Sequence, residues 1–183
     1  LALVYGVGAD DLDAVKRMPL VKQVQGFDAQ GLPVKVSLRA AGIVPVVDSD
    51  EPVAIVAAAM DYGLWSKTPD GEWHNKGHLT QVPTKPVPLI AAHTLQLVAV
   101  SPAIPQKAGE KLTVRAYYKC KPVEGAIIMS DYVNDPDEAG VKTAADGTAT
   151  IKLRNQGINV LMAIYVGPAD DAKKADHSEY RSS

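Results

Sequence analysis

Hydrophobic and polar residues alternate along several short stretches of this chain. Val34, Val36 and Leu38 are separated by Lys35 and Ser37, with Arg39 following. Leu112, Val114, Ala116 and Tyr118 interleave with Lys111, Thr113, Arg115 and Tyr117, and Ala149, Ile151 and Leu153 interleave with Thr148, Thr150 and Lys152. Successive side chains of an extended strand point to opposite faces, so each pattern predicts a strand buried on one face. Val53–Met60 and Asn159–Val166 are more continuously apolar and predict strands covered on both faces. Leu1–Tyr5 reads as a further strand. A helical pattern is scarce; Asp10–Met18, with Leu12 and Val15 on one side, is the best stretch and is short. After the last apolar run a polar segment leads to Ser182 and Ser183 with no element assigned to it.

Turn chemistry separates the runs: Asp28-Ala29-Gln30-Gly31, Pro69-Asp70-Gly71 and Asp146-Gly147. The first and last of these each feed an alternating strand, a weak internal echo. Thr80–Pro88 carries three prolines in TQVPTKPVP. Proline removes backbone donors and favours extended chain, so this reads as a crossing between domains. The expected architecture is all-β, two immunoglobulin-like β-sandwich domains spanning residues 1–85 and 86–183.

Composition narrows the classes. At 183 residues, 46% apolar and 22% charged, the chain has the balance of a globular protein rather than a disordered one. A net charge of −2 lacks the basic field that nucleic acid selects, so no nucleic-acid partner is expected. One cysteine forms no intrachain disulfide and no cysteine-based zinc site. No apolar run reaches the length of a membrane-spanning helix. The chain opens within a strand pattern, without an initiator methionine or a signal peptide, and the expectation is a processed or truncated polypeptide.

Candidate chemistry is thin. Gly6-Val7-Gly8 follows a strand but lacks the third glycine and the following helix of a dinucleotide loop, so it reads as a turn. No Gly-x-Ser-x-Gly elbow is present. Cys120 sits between Lys119 and Lys121, which favour a thiolate, but it ends an alternating strand where a hairpin turn is expected. No catalytic set assembles, and the chain is read as non-enzymatic.

His74 and His78 are four apart; a loop at this glycine-containing segment can converge their imidazoles, which suit nickel, copper or zinc. The simpler reading is two solvated loop histidines. Asp131–Glu138 is the densest acidic run. Its carboxylates offer oxygen ligands, but the spacing fails the EF-hand pattern and a solvated loop is the simpler reading. Trp65 and Trp73 flank a Pro-Asp-Gly turn and are expected to project near one another from a β-hairpin. They either close a small aromatic cluster or form a ligand platform for sugar or peptide.

The stretch Asp61-Tyr62-Gly63-Leu64-Trp65-Ser66-Lys67-Thr68-Pro69-Asp70-Gly71-Glu72-Trp73-His74-Asn75-Lys76 resembles the signature hairpin of a bacterial exported family of unknown function, labelled the periplasmic component of a nickel or cobalt transport system. Tyr5-Gly6, Phe27–Gly31, Leu95–Val98, Ser101-Pro102, Ala108–Val114, Lys121–Ala126 and Lys142–Ala149 resemble further pieces of that family in the same order. The last two also resemble carboxypeptidase-regulatory or Cna-B-like immunoglobulin modules. Family members often have a histidine after the Tyr-Gly pair, where Val7 stands here. Set against that pattern, the family's leading segment and final strand are expected to be missing from this sequence.

The resemblance implies a periplasmic protein that partners membrane metal-transporter components and binds nickel or cobalt. The residues that suit such an ion are His74, His78 and His93, with Asp135 and Asp137 as oxygen ligands. The alternative is an immunoglobulin-like binding or adhesion module without metal, with Trp65 and Trp73 at its ligand site.

Overall fold

The structure is a computed structural model and describes residues 14–61, 64–68, 71–80, 89–91, 93–132, 134–135, 137–156, 159–169 and 171–182; 64–68 and 71–80 are described by backbone alone. The strand expected at Leu1–Tyr5, the Gly6-Val7-Gly8 turn and the proline segment at 81–88 lie outside these residues.

The chain is all-β, as the alternating runs require. Its strands are β1 (Val21–Phe27), β2 (Pro33–Val34), β3 (Ser37–Ala41), β4 (Val44–Asp48), β5 (Ile55–Met60), β6 (Leu64–Thr68), β7 (Gly71–Thr80) and β8 (Leu95–Ala99). They continue as β9 (Lys111–Tyr118), β10 (Lys121–Pro122), β11 (Ile127–Met129), β12 (Val141–Lys142), β13 (Thr148–Lys152), β14 (Met162–Pro168) and β15 (His177–Ser182). Of the helix expected at Asp10–Met18, residues 14–18 lie in a 3₁₀ helix, Ala14–Leu20, and 10–13 lie outside the described residues. Pro19, which has no N–H to donate, closes it.

Nine strands form one sheet in the order β12-β11-β14-β15-β7-β5-β1-β2, with β6 paired to β7. A second sheet holds β8, β9, β10 and β13, and β3–β4 form a separate hairpin. The second sheet covers one face of the β11–β14–β15 region. The core is built from alternate residues of both layers: Leu95 and Leu97; Leu112, Val114 and Ala116; Ala149 and Ile151; Ile128, Ala163 and Tyr180. The period read in β9 and β13 is therefore the inward row of a sandwich.

Hydrogen bonding crosses the boundary expected at residue 85. β15 pairs in parallel with β7, Ser178 against His74 through to Ser182 against His78. The polar segment to which no element was assigned is thus a central strand. Its sequence alternates, with Ser178, Tyr180 and Ser182 fully or nearly fully buried between His177, Glu179 and Arg181. Small hydroxyl side chains fill this interior row, and hydropathy does not register them as core.

Of the two strands expected to be covered on both faces, β5 is buried at Ile55 to Ala58 and again at Met60. The other differs. It begins at Met162, and Val166 is 53% exposed, because the second sheet covers only one of its faces.

The acidic-glycine turns behave as their chemistry dictates. Asp28 Oδ1 accepts from the amides of Gln30 (2.8 Å) and Leu32 (2.9 Å), and Gly31 has φ 82°. Asp146 Oδ1 accepts from the amide (3.0 Å) and hydroxyl (2.7 Å) of Thr148, and Gly147 has φ 80°. Both place glycine where a Cβ is strained.

Candidate functional site

Trp65 and Trp73 are direct register partners in the β6–β7 hairpin, which closes over a two-residue connection between Thr68 and Gly71. Directly opposed residues of an antiparallel pair are neighbours on one face. The residues expected to sit together at a hairpin therefore hold adjacent positions. On its other side β7 meets β15, so the hairpin is built onto the large sheet rather than hanging from it.

His74 and His78 differ from expectation in their local structure. They lie within β7, not in a loop, because β7 is paired on both edges: Leu64 and Ser178 flank His74, and Ala59 and Ser182 flank His78. Four residues of strand span about 13 Å, so the backbone holds these positions well apart rather than converging them.

His93 precedes β8 and is 3% exposed. Its amide donates to the Ile90 carbonyl at 2.9 Å, and burial pushes its imidazole pKa down to about 4, so the ring is neutral at neutral pH.

The acidic run is more ordered than a solvated loop. Asp131 is buried and accepts from the side-chain amides of Asn134 (2.8 and 2.9 Å) and Asn155 (2.9 Å). Asp135 is ion-paired with Arg154 at 3.0 Å. Glu138 accepts from the amide and hydroxyl of Ser130 at 2.8–2.9 Å. Burial opposes the Glu138 charge, but the Ser130 hydroxyl, the Ser130 and Asp131 backbone and Arg154 together hold its carboxyl below the usual range. Asp137 is exposed. Among the described residues no three His, Cys, Asp or Glu side chains converge as a metal site.

Cys120 is exposed in the turn joining β9 to β10, as its position predicts. Lys119 and Cys120 have φ 49° and 61°, the left-handed pair that a two-residue hairpin turn needs.

The sequence reading missed the outward row of β15. Glu179 and Arg181 form an ion pair, Arg181 Nε donating to Glu179 Oε1 at 2.6 Å, and Arg181 Nη1 reaches the Tyr132 hydroxyl at 3.5 Å. Asn75 is the register partner of Glu179. The signal was the alternation of His177, Glu179 and Arg181 with Ser178, Tyr180 and Ser182.

The fold and these surfaces define an all-β protein with sandwich packing. Among the described residues no helix is long and apolar enough to cross a membrane. A family profile described as a domain of unknown function (DUF4198) matches residues 1–167, and the chain belongs to that family. No curated protein and no solved structure matches it.

Proposed function

We propose that this chain is an extracytoplasmic, non-enzymatic β-sandwich binding module whose ligand site is the β6–β7 hairpin. The observation that supports this reading is the direct opposition of Trp65 and Trp73 on a hairpin joined to the large sheet. Tryptophan combines a large apolar surface with a polar N–H, and aromatic anchors dominate recognition surfaces. The test is retention of the chain on immobilised peptide and saccharide panels. Trp65→Ala and Trp73→Ala lose retention, whereas His74→Ala, His78→Ala and His93→Ala keep it; the reverse pattern contradicts the reading.

A second reading is association with nickel or cobalt uptake, with His74, His78, His93, Asp135 and Asp137 as ligands and transporter components of the membrane as partners. What favours it is His93, whose imidazole burial keeps in the neutral form that coordinates metal. Calorimetric titration with nickel and cobalt tests it. Absence of heat and of retained metal at micromolar concentration removes it.

A further inference from the structure

Leu112 and Val114 of β9 and Ala149 and Ile151 of β13 fill the core. The alternate positions, Lys111, Thr113 and Arg115 of β9 and Thr148, Thr150 and Lys152 of β13, therefore lie on the outer face of the smaller sheet. Val98 of β8 shares that face beside Arg115 and is buried, whereas Lys111, Thr150 and Lys152 are exposed. The open part of the face is thus its β9–β13 end.

Register pairs run along it: Lys111 opposite Lys152, Thr113 opposite Thr150, and Arg115 opposite Thr148. The first sets two like charges directly against one another, which destabilises a sheet. Among the described residues neither lysine has an ion-pair partner. Glu110, the acid next to Lys111, turns its carboxylate to the backbone amides of Gln106 and Lys107, both at 3.1 Å. The Thr113 and Thr150 hydroxyl oxygens lie 3.0 Å apart. One hydrogen is used between them, and the hydroxyl that accepts keeps its own to donate outward. Arg115 ends the row, balanced by Asp146 at 3.7 Å. The uncompensated positive charge is confined to the lysine end.

We propose that Lys111, Lys152 and the Thr113–Thr150 hydroxyl pair bind a tetrahedral oxyanion, phosphate or sulfate. Two ammonium groups and a free hydroxyl hydrogen are all donors, and an acceptor-only ligand satisfies them. Two positive charges are balanced by one group that carries about two negative ones. A carboxylate brings one charge and two oxygens. Phosphate and sulfate bring more charge and enough oxygens to meet both strands at once. A neutral ligand leaves the lysines opposed, and a metal cation is repelled. The site uses neither Trp65 nor Trp73, so it stands apart from the hairpin reading.

The full chain is titrated at low ionic strength with inorganic phosphate, sulfate and methyl phosphate, against sodium chloride of matched ionic strength. NMR shifts of the amides of 111–113 and 150–152 and the melting temperature are the readouts. Saturable shifts are expected with a Kd of about 1 mM, with a rise in melting temperature that chloride does not reproduce. Lys111→Gln and Lys152→Gln each weaken binding at least about fivefold. Thr150→Val keeps the branched shape, removes the hydroxyl and weakens binding with little change in stability. Lys142→Gln, on β12 of the other sheet, leaves binding unchanged.

Tighter binding of methyl phosphate than of inorganic phosphate assigns the site to a phosphate carried on a larger molecule. The reverse order assigns it to the free ion. Shifts that chloride reproduces at equal ionic strength show screening of surface charge only and overturn the site. Shifts that survive in Lys111→Gln, Lys152→Gln and Thr150→Val overturn it as well.

Discussion

Tyr118 and Tyr180 meet across the interior of the sandwich, hydroxyl to hydroxyl at 3.4 Å, with ring centroids 5.2 Å apart. Tyr118 closes β9 of the smaller sheet, and Tyr180 is the fully buried centre of β15 in the larger one. Tyr165, the register partner of Tyr180, packs its ring 5.0 Å from Tyr118. This aromatic group ties the last strand to the second layer. Tyr180→Ala is expected to destabilise the fold by about 3–5 kcal/mol, since a buried aromatic leaves a cavity. Tyr180→Phe, which keeps the ring and removes the hydroxyl, changes stability by about 1 kcal/mol. Urea unfolding of the two variants distinguishes packing from hydrogen bonding.

Asp131 anchors the loop after β11 by accepting from Asn134 and Asn155. Asp131→Ala leaves those amides without their acceptor and is expected to lower stability by about 1–3 kcal/mol. Asn155→Ala removes one donor and has the smaller effect. Thermal melts of both variants check the order.

Acid sensitivity follows from His93 and Glu138. The folded His93 pKa of about 4 lies below the ordinary 6.5, so the unfolded chain binds the proton first. Stability therefore falls as pH drops from about 6.5 to 4, by about 3 kcal/mol in total from this residue. Glu138 is also lowered from its ordinary 4.5, so its contribution is present above that value and is lost as pH falls through the folded pKa. Both act in the same direction. His93→Gln flattens the slope of unfolding free energy between pH 6.5 and 4, measured by urea titration at a series of pH values, and leaves the Glu138 component below it.

Gly109 and Gly147 separate two costs of adding a Cβ. Both have positive φ, 84° and 80°. A Cβ at Gly109 meets nothing within 4 Å, whereas at Gly147 it comes within 2.9 Å of the Ala116 carbonyl oxygen and 3.0 Å of Val123 N. Gly109→Ala is expected to cost about 1 kcal/mol from backbone strain alone. Gly147→Ala costs clearly more, since backbone atoms have to move. Equal melting temperatures for the two variants contradict this.

The inward rows of β9 and β13, the aspartate-glycine turns and the tryptophan hairpin were legible because each follows from local chemistry. β15 was not. Its buried positions are two serines and a tyrosine, and its strand character comes from pairing with β14, the strand before it, and with β7, whose first residue, Gly71, stands 106 positions before His177. Gly77 drew His74–His78 toward a loop reading, but two-sided pairing overrides the weak strand preference of one glycine. The acidic run showed its carboxylates but not Asn155 and Arg154, the partners that engage Asp131 and Asp135 and come from beyond β13.

The joining of the β6–β7 hairpin to the large sheet depends on β7 and β15 lying side by side in register. The most direct test is an NMR measurement of cross-strand contacts between backbone protons of 74–78 and 178–182, together with amide exchange of the second segment. A parallel ladder placing Ser178 beside His74 and Ser182 beside His78, with slowly exchanging amides, is the expected result. Amides at 178–182 that exchange as in an open chain, with no contacts to 74–78, contradict the place of β15 in the large sheet and with it the anchoring of the hairpin.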